Sequence, residues 1–213
     1  MAAPAEKPRR RGRRQGASVS REQVLPAAKR RFAEQGYTAT TLRQIAADVG
    51  VDAAMVLYLF GSKAELFRES MRLILDPQRL VAVIAEAPRA ELGVRVARTY
   101  FEIWEDPESG PSLAAMLASA TSNDDAHQAF REFMRDYVLT AAAGALGGGP
   151  DTRLRAMLAA TNLVGTAMLR YVMAIGPLAE VSLAEAADMI GPSVQRYLTG
   201  DLDELNIPAR FRG

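Results

Sequence analysis

The stretch Thr40-Thr41-Leu42-Arg43-Gln44-Ile45-Ala46-Ala47-Asp48-Val49-Gly50-Val51-Asp52 decides the fold, because it describes two short helices joined by a tight turn. Thr41 and the glutamine three residues later form a capping box, which predicts a helix start at Thr41. Apolar residues then recur at helical spacing until Gly50, which supplies the left-handed backbone that ends a helix. Asp52 is predicted to be the N-cap of a second helix that runs to about Leu59. The stretch therefore predicts a helix-turn-helix.

A further helix is predicted on each side of this pair. Upstream, Ser20 and Gln23 form a second capping box, which opens a helix whose apolar stripe ends at Gly36-Tyr37. Downstream, the chain restarts with a third capping box, from Ser62 to Glu65. We therefore expect the helix-turn-helix to lie within a larger N-terminal helical unit.

This arrangement resembles the TetR family of one-component transcriptional regulators over residues 20–70. The matching signature residues are Ala28, Phe32, Gly36, Tyr37, Thr40, Thr41, Ile45, Ala46, Gly50, Val51, Phe60, Ser62 and Lys63. The resemblance implies an all-α protein. It would comprise a disordered basic arm (1–19), a DNA-binding domain (20–66), a larger helical domain that binds an effector and dimerises (67–200), and a C-terminal tail (201–213).

Composition indicates a globular protein, since 49% of the 213 residues are hydrophobic, enough to bury a core. The absence of cysteine removes disulfides and thiolate metal sites, which suits a cytoplasmic location. No apolar segment follows the basic N-terminus, so a secretory signal is not expected. Residues 157–175 have the length of a membrane span, but their Thr, Asn and Arg side chains favour a buried protein helix.

The net charge of +1 conceals two halves of opposite sign. Residues 1–72 carry 14 Lys and Arg against 7 Asp and Glu, whereas residues 73–213 carry 12 against 18. The basic half contains the helix-turn-helix, as binding to phosphate requires. The arginine-rich arm either enters an adjacent minor groove or is a flexible tail that adds sequence-independent affinity, and we prefer the second interpretation.

The sequence predicts about nine helices and no strand. After the helix-turn-helix they are expected at about 62–85, 88–105, 112–120, 124–146, 151–175 and 182–198, the last opened by a capping box from Ser182 to Glu185. The first of these is expected to bend near Asp76-Pro77. A loop is predicted at 106–111 and a loose tail from residue 201 onward.

The second helix of the motif is expected to lie in the major groove of DNA. Its exposed side chains are largely apolar, so Ala53, Ala54 and Leu57 are predicted to contact thymine methyl groups. Arg43 either reads guanine, as the resemblance implies, or contacts phosphate or solvent. Further contacts to bases or phosphates are predicted for Asp52, Tyr58, Lys63, Tyr37, Thr40 and Thr41, of which Lys63 matches a phosphate-binding lysine of the family. Leu57 and Leu59 depart from the Tyr and His that many members use on the DNA backbone, and Tyr58 is the candidate to replace one of them.

The acidic half is predicted to dimerise and to bind an effector. One recognition helix discriminates weakly, so we expect a homodimer whose helices enter successive major grooves. The interface candidates, for which intrachain core is the alternative, are Leu158, Leu163, Thr166, Leu169, Ile190, Val194 and Tyr197. The resemblance implies an effector pocket, with candidates Tyr100, Trp104, Met116, Phe133, Met134, Tyr137, Asn162 and Arg170. For Asn162 and Arg170, pairing within the protein is the preferred alternative.

The sequence thus predicts a repressor that a small-molecule effector releases from a palindromic DNA operator, with no cofactor or metal. One alternative is a regulator without such an effector, controlled by a protein partner or acting as an activator. A remote alternative is a metal-dependent helical enzyme using His127 and Asp124. The sequence contains no Ser-His-Asp set, phosphate-binding glycine loop or dinucleotide motif.

Overall fold

The computed structural model describes residues 19–212 and is helical throughout that range. The basic arm lies outside the described residues. The helices are α1 Arg21–Ala39, α2 Leu42–Asp48, α3 Ala53–Phe60, α4 Lys63–Arg72, α5 Gln78–Glu86, α6 Leu92–Glu105, α7 Gly110–Ser122, α8 Asp124–Phe133, α9 Leu139–Ala145, α10 Thr152–Ala167 and α11 Leu183–Thr199. A π-helical turn joins α8 to α9 without a break, so residues 19–212 form ten helices, close to the nine expected.

The capping box predicted at Thr41 is confirmed. The Thr41 Oγ1 accepts from the Gln44 backbone N–H at 3.3 Å, while Gln44 Oε1 accepts from the Thr41 N–H at 2.7 Å. Gly50 has φ 72°, the left-handed conformation that the turn demands. Asp52 stands at the N-cap of α3, but its side chain makes no capping hydrogen bond.

The capping box at α4 is only half formed. Ser62 Oγ accepts from the Glu65 N–H at 3.0 Å, as predicted. The Glu65 carboxylate pairs with Arg68 instead of returning to the Ser62 backbone. The box that opens α11 is complete, with Ser182 and Glu185 bonded in both directions.

Three of the expected helices have different limits. Residues 62–85 form two separate helices, because the chain turns at 73–77 and the Asp76 carboxylate accepts from the Gln78 N–H at 2.9 Å. The helix expected from residue 88 begins only at Leu92, after a 3-10 turn. The helix expected to reach residue 175 ends as α10 at Ala167 and continues as a π turn, Met168–Val172.

The segment from residue 201 is folded rather than loose. Ile207 is only 2% exposed, so it forms part of the core. The Arg196 side chain on α11 donates to the Glu204 carbonyl at 3.1 Å, and the Arg212 guanidinium donates to the Leu202 carbonyl at 3.3 Å. Burial and these bonds hold the segment against α11.

An aromatic cluster joins α1 to α4, and these two helices contact α7 and α8 of the C-terminal body. The Phe67 ring of α4 packs edge-on against Phe32 and Tyr37 of α1, with centroid distances of 4.9 and 5.1 Å. The Tyr37 backbone N–H donates to the Ser119 hydroxyl of α7 at 3.1 Å. Within residues 19–212 no helix is long and apolar enough to cross a membrane.

Candidate functional site

Helix α3 presents an apolar face to solvent. Leu57 is 48% and Tyr58 84% exposed, and Ala54 is exposed beside them. Val56 and Phe60 hold the opposite face in the core. These exposed positions are ones that sequence analysis selected for base contact. It missed Met55, which is 41% exposed on the same surface and adjoins Ala54 in the sequence.

Arg43 lies in the first turn of α2 and is exposed. Among the described residues its guanidinium forms no ion pair or hydrogen bond. The Thr41 and Asp52 side chains are also exposed, at the starts of α2 and α3. All three side chains therefore remain accessible to a nucleic acid.

Thr40 and Tyr37 do not belong to this exposed surface, so the predicted phosphate contacts of both are wrong. Thr40 is fully buried, and its hydroxyl donates to the carbonyls of Arg31 and Gly36, at 3.1 and 2.8 Å. Tyr37 is 4% exposed, with its hydroxyl 3.5 Å from the Asp125 carboxylate, which would repel a phosphate. Burial, reinforced by Asp125, raises the Tyr37 pKa to about 12.

Lys63 begins α4 and is half-buried. Its ammonium lies 4.2 Å from the centre of the Tyr37 ring and donates to the Thr38 carbonyl at 3.4 Å. Burial lowers the Lys63 pKa, and the nearby Asp125 carboxylate opposes that shift. Tyr37 thus positions the lysine instead of contacting DNA itself.

The folded N-terminal helices are less basic than the sequence suggested. Residues 19–72 carry 8 Lys and Arg against 6 Asp and Glu. Several of these cations are neutralised in ion pairs, including Arg31 with Asp48 at 2.7 Å and Arg21 with Glu69. Most of the positive charge therefore lies in residues 1–18, outside the described part of the chain.

The C-terminal body contains an apolar cavity with an open mouth. Side chains from α5 to α11 surround a cavity of about 90 Å³ that opens to solvent. Four of the predicted residues line this cavity: Tyr100, Trp104, Met116 and Met134. Sequence analysis missed most of the lining, which is leucine, alanine and valine of the kind that any core contains.

The other four pocket candidates lie elsewhere, and their assignment to the cavity is wrong. Phe133 is 1% exposed and packs against Tyr137, at a centroid distance of 5.5 Å. Asn162 donates within its own helix to the Leu158 carbonyl at 3.1 Å. The buried Arg170 donates to Glu105 at 3.0 Å and to a backbone carbonyl. Asn162 and Arg170 thus form hydrogen bonds within the protein, which was the preferred alternative for these two residues.

The dimer candidates separate into core and surface. Leu163, Thr166 and Val194 are buried within the chain, so intrachain packing accounts for them and their assignment to the interface is wrong. Leu158, Ile190 and Tyr197 are half-buried. Leu169 is 42% exposed and is the candidate with the largest accessible surface.

His127 lies at the start of α8, and its Nδ1 is 3.2 Å from the Ala120 carbonyl. Asp125 beside it faces Tyr37. Within residues 19–212 no three His, Cys, Asp or Glu side chains are grouped so as to hold a metal ion.

Two sequence profiles of known families match the chain. Residues 24–70 match bacterial regulatory proteins of the tetR family, and residues 90–198 match a tetracyclin repressor-like C-terminal domain. The second match alone spans more than half of the chain. The chain belongs to the TetR family. As a TetR-family protein, it is a transcriptional regulator of the helix-turn-helix type.

Individual TetR-family proteins resemble the chain to different extents. A TetR-family regulator from Streptomyces coelicolor is 36% identical, with 88% of this chain and 98% of that one covered and a TM-score of 0.61. SmeT, the repressor of a Stenotrophomonas maltophilia multidrug efflux pump, shares the fold at 20% identity, with 84% and 89% covered and a TM-score of 0.56. The regulator BetI from Agrobacterium fabrum is 29% identical over 111 residues, which are 50% of this chain and 54% of BetI. The chain thus spans about half the length of that curated relative.

Proposed function

We propose that the chain is a homodimeric repressor that binds a palindromic operator and is released by a small-molecule effector. One observation carries the DNA-binding part: α3 has an exposed apolar face, and Arg43, exposed on the neighbouring α2, has no ion pair within residues 19–212. Apolar side chains match thymine methyl groups, and a guanidinium matches guanine O6 and N7. Lys63, at the start of α4, is assigned to a phosphate. The basic arm adds sequence-independent attraction.

A second copy of the chain is the proposed partner of α10 and the π turn that follows it. Met157 in α10, Leu169 in the π turn and Met173 just after it are 46%, 42% and 56% exposed. Met189 of α11 is 54% exposed. Exposed large apolar side chains of this kind favour burial against a partner, and a two-fold axis would set the separation of the two α3 helices.

The cavity is proposed to control that separation. The Trp104 ring, which lines the cavity, stacks on Tyr171 at a centroid distance of 5.3 Å and an interplanar angle of 7°. Tyr171 lies in the same π turn as Leu169, on the proposed dimer surface. π turns are frequent at functional sites. A ligand that displaces Trp104 would therefore displace the residues that pack between the two copies. SmeT, named above as sharing the fold, has been described in a complex with triclosan.

The test begins with selection of bound fragments from a genomic DNA library, followed by titration of the selected duplex with a panel of small molecules. The proposal expects an inverted-repeat site and release of DNA by at least one compound that binds the protein. If the protein selects a DNA site but no compound that binds the protein releases it from that site, the regulator without an effector would be favoured. A protein that selects no DNA would contradict the proposal as a whole.

A further inference from the structure

The cavity of the C-terminal body has an unusually uniform chemistry. None of the twenty side chains that line it carries a charge, and none is an amide or a carboxylate. Apart from Tyr100 and Trp104, every lining residue is Leu, Ile, Val, Ala, Met or Phe. The two polar groups therefore lie together on α6, one turn apart, with their ring centroids separated by 6.3 Å.

Such a lining selects against ionic ligands. A carboxylate or ammonium entering it would lose its hydration without gaining a counter-ion, which costs several kcal/mol. Arg170, which stacks on Tyr171, is not among the lining residues; its two terminal nitrogens donate to Glu105 and to a backbone carbonyl, and its buried Nε has no partner within residues 19–212. Burial raises the pKa of the Tyr100 hydroxyl, so the lining stays uncharged throughout the physiological range.

One polar atom in the lining residues is left without a partner. The Trp104 Nε1 is buried and completes no hydrogen bond within residues 19–212, although the Tyr100 hydroxyl of the same helix lies near it. Trp104 as a whole is 6% exposed. Buried N–H donors are nearly always bonded in folded proteins, so an unpartnered one in a cavity wall points to an acceptor supplied from outside the chain.

We propose that the cavity takes an uncharged, largely apolar molecule with a single hydrogen-bond acceptor, such as a ketone or ester oxygen, which accepts from the Trp104 indole N–H. The assignment rests on the proposed function, in which this cavity is the effector site. It specifies the chemical class of ligand, which that function leaves open. The apolar remainder of the molecule would contact the leucine and alanine side chains of the lining.

The test uses four probes with the same chain length and the purified protein without DNA. They are 2-octanone, octane, octanoate and octylammonium. Trp104 is the only tryptophan of the chain, so its fluorescence reports occupancy directly. We expect 2-octanone to change that fluorescence and to bind at least about tenfold more tightly than either ion, because only the ions lose charge hydration. Equal or tighter binding of octanoate or octylammonium would overturn the proposal, as would failure of 2-octanone to bind.

Two variants locate the hydrogen bond, with affinity measured by calorimetry since Trp104→Phe removes the fluorophore. Trp104→Phe should weaken binding of 2-octanone about tenfold, the effect of one lost hydrogen bond, and weaken binding of octane much less. Tyr137→Phe, which removes a hydroxyl from a ring outside the lining, is the matched control and should leave the binding of both unchanged. Loss of affinity with Tyr137→Phe instead would contradict the assignment to Trp104. Thermal melting of both variants establishes that they are folded.

The two proposals fail separately. If 2-octanone binds as expected but no uncharged ligand of the cavity releases operator DNA, the ligand class stands and the effector role fails. If an ion binds more tightly than the ketone and also releases DNA, the effector role stands and the ligand class is wrong.

Discussion

Single side chains in this protein divide sharply between DNA recognition and internal support. Thr40 and Tyr37 both match the family signature, but their hydroxyls face the Arg31 and Gly36 carbonyls and the Asp125 carboxylate. In the proposed DNA site, Thr40 and Tyr37 would therefore act only through the placement of α2 and Lys63. The sequence shows that Thr40 and Tyr37 carry hydroxyl groups. Where each hydroxyl points depends on the packing of parts of the chain that are distant in the sequence.

Arg43 and Lys63 should give different signatures when removed. We expect Arg43→Ala to weaken operator binding by about 1–3 kcal/mol and to relax the preference at one base pair, because a bidentate base contact is lost. Lys63→Ala should weaken binding to all DNA sequences alike. It should also lower the slope of log affinity against log salt concentration by about one, because one phosphate contact is lost. Anisotropy titrations on operator and point-mutated duplexes at several salt concentrations measure both. A uniform loss with Arg43→Ala would assign it to phosphate.

The Arg31–Asp48 pair should make stability depend on pH. Hydrogen bonds from Arg31, two of 2.7 Å, are the main cause that holds the Asp48 pKa below its usual value. A carboxyl with a lower pKa in the folded state stabilises the protein above its unfolded pKa of about 3.9, and that contribution is lost as pH falls through the folded value. Asp48→Asn should therefore lower the free energy of unfolding at pH 7, and the two proteins should converge as the medium becomes acidic.

Denaturant unfolding at a series of pH values checks this dependence. Asp52→Asn is the matched control, since the Asp52 side chain makes no capping hydrogen bond. A difference between wild type and Asp48→Asn that stays constant down to pH 2 would show that the pair contributes nothing specific to the ionised form.

At the scale of elements, the short helices were the most predictable part of the chain. Capping boxes and Gly50 are local signals, and they located α2 and the turn to α3 correctly. The cavity lining was less predictable, because the π turn Met134–Val138 changes which residues face inward. Met134 lines the cavity, whereas the adjacent Phe133 lies in the core. Both side chains are apolar, so residue type alone does not tell the two positions apart. Burial of Ile207 likewise depends on contacts across the fold.

Helix α3 leads to a prediction about the operator. Leu57 and Ala54 have no hydrogen-bonding group, so they distinguish thymine by its methyl group. Replacing thymines of the selected half-site by uracil removes only that methyl and keeps every base-pair bond. We expect the replacement at the contacted position to weaken binding several-fold, and the same replacement to have little effect on the Leu57→Ala variant. If uracil replacement weakens binding equally in the wild type and in Leu57→Ala, Leu57 does not contact the thymine methyl group.

At the level of the whole molecule, the proposed repressor binds its operator as a pair of chains. Leu169→Arg places a charge in the proposed interface and should convert the dimer to monomers, with loss of operator binding. Leu73→Arg is the matched control, since Leu73 is similarly exposed, 47% against 42%, and lies at the end of α4. Sedimentation velocity measures the state of each variant. A dimeric Leu169→Arg protein with normal operator affinity would place the interface elsewhere.

The most direct test of the account is a footprint of the full-length protein on its selected DNA, with hydroxyl radicals resolving single nucleotides. We expect two protected half-sites in inverted repeat on one face of the duplex, with centres about 34–36 Å apart or a multiple of that distance, because the proposed dimer presents two α3 helices to major grooves. A single protected half-site, or an equal affinity for every fragment, would contradict it.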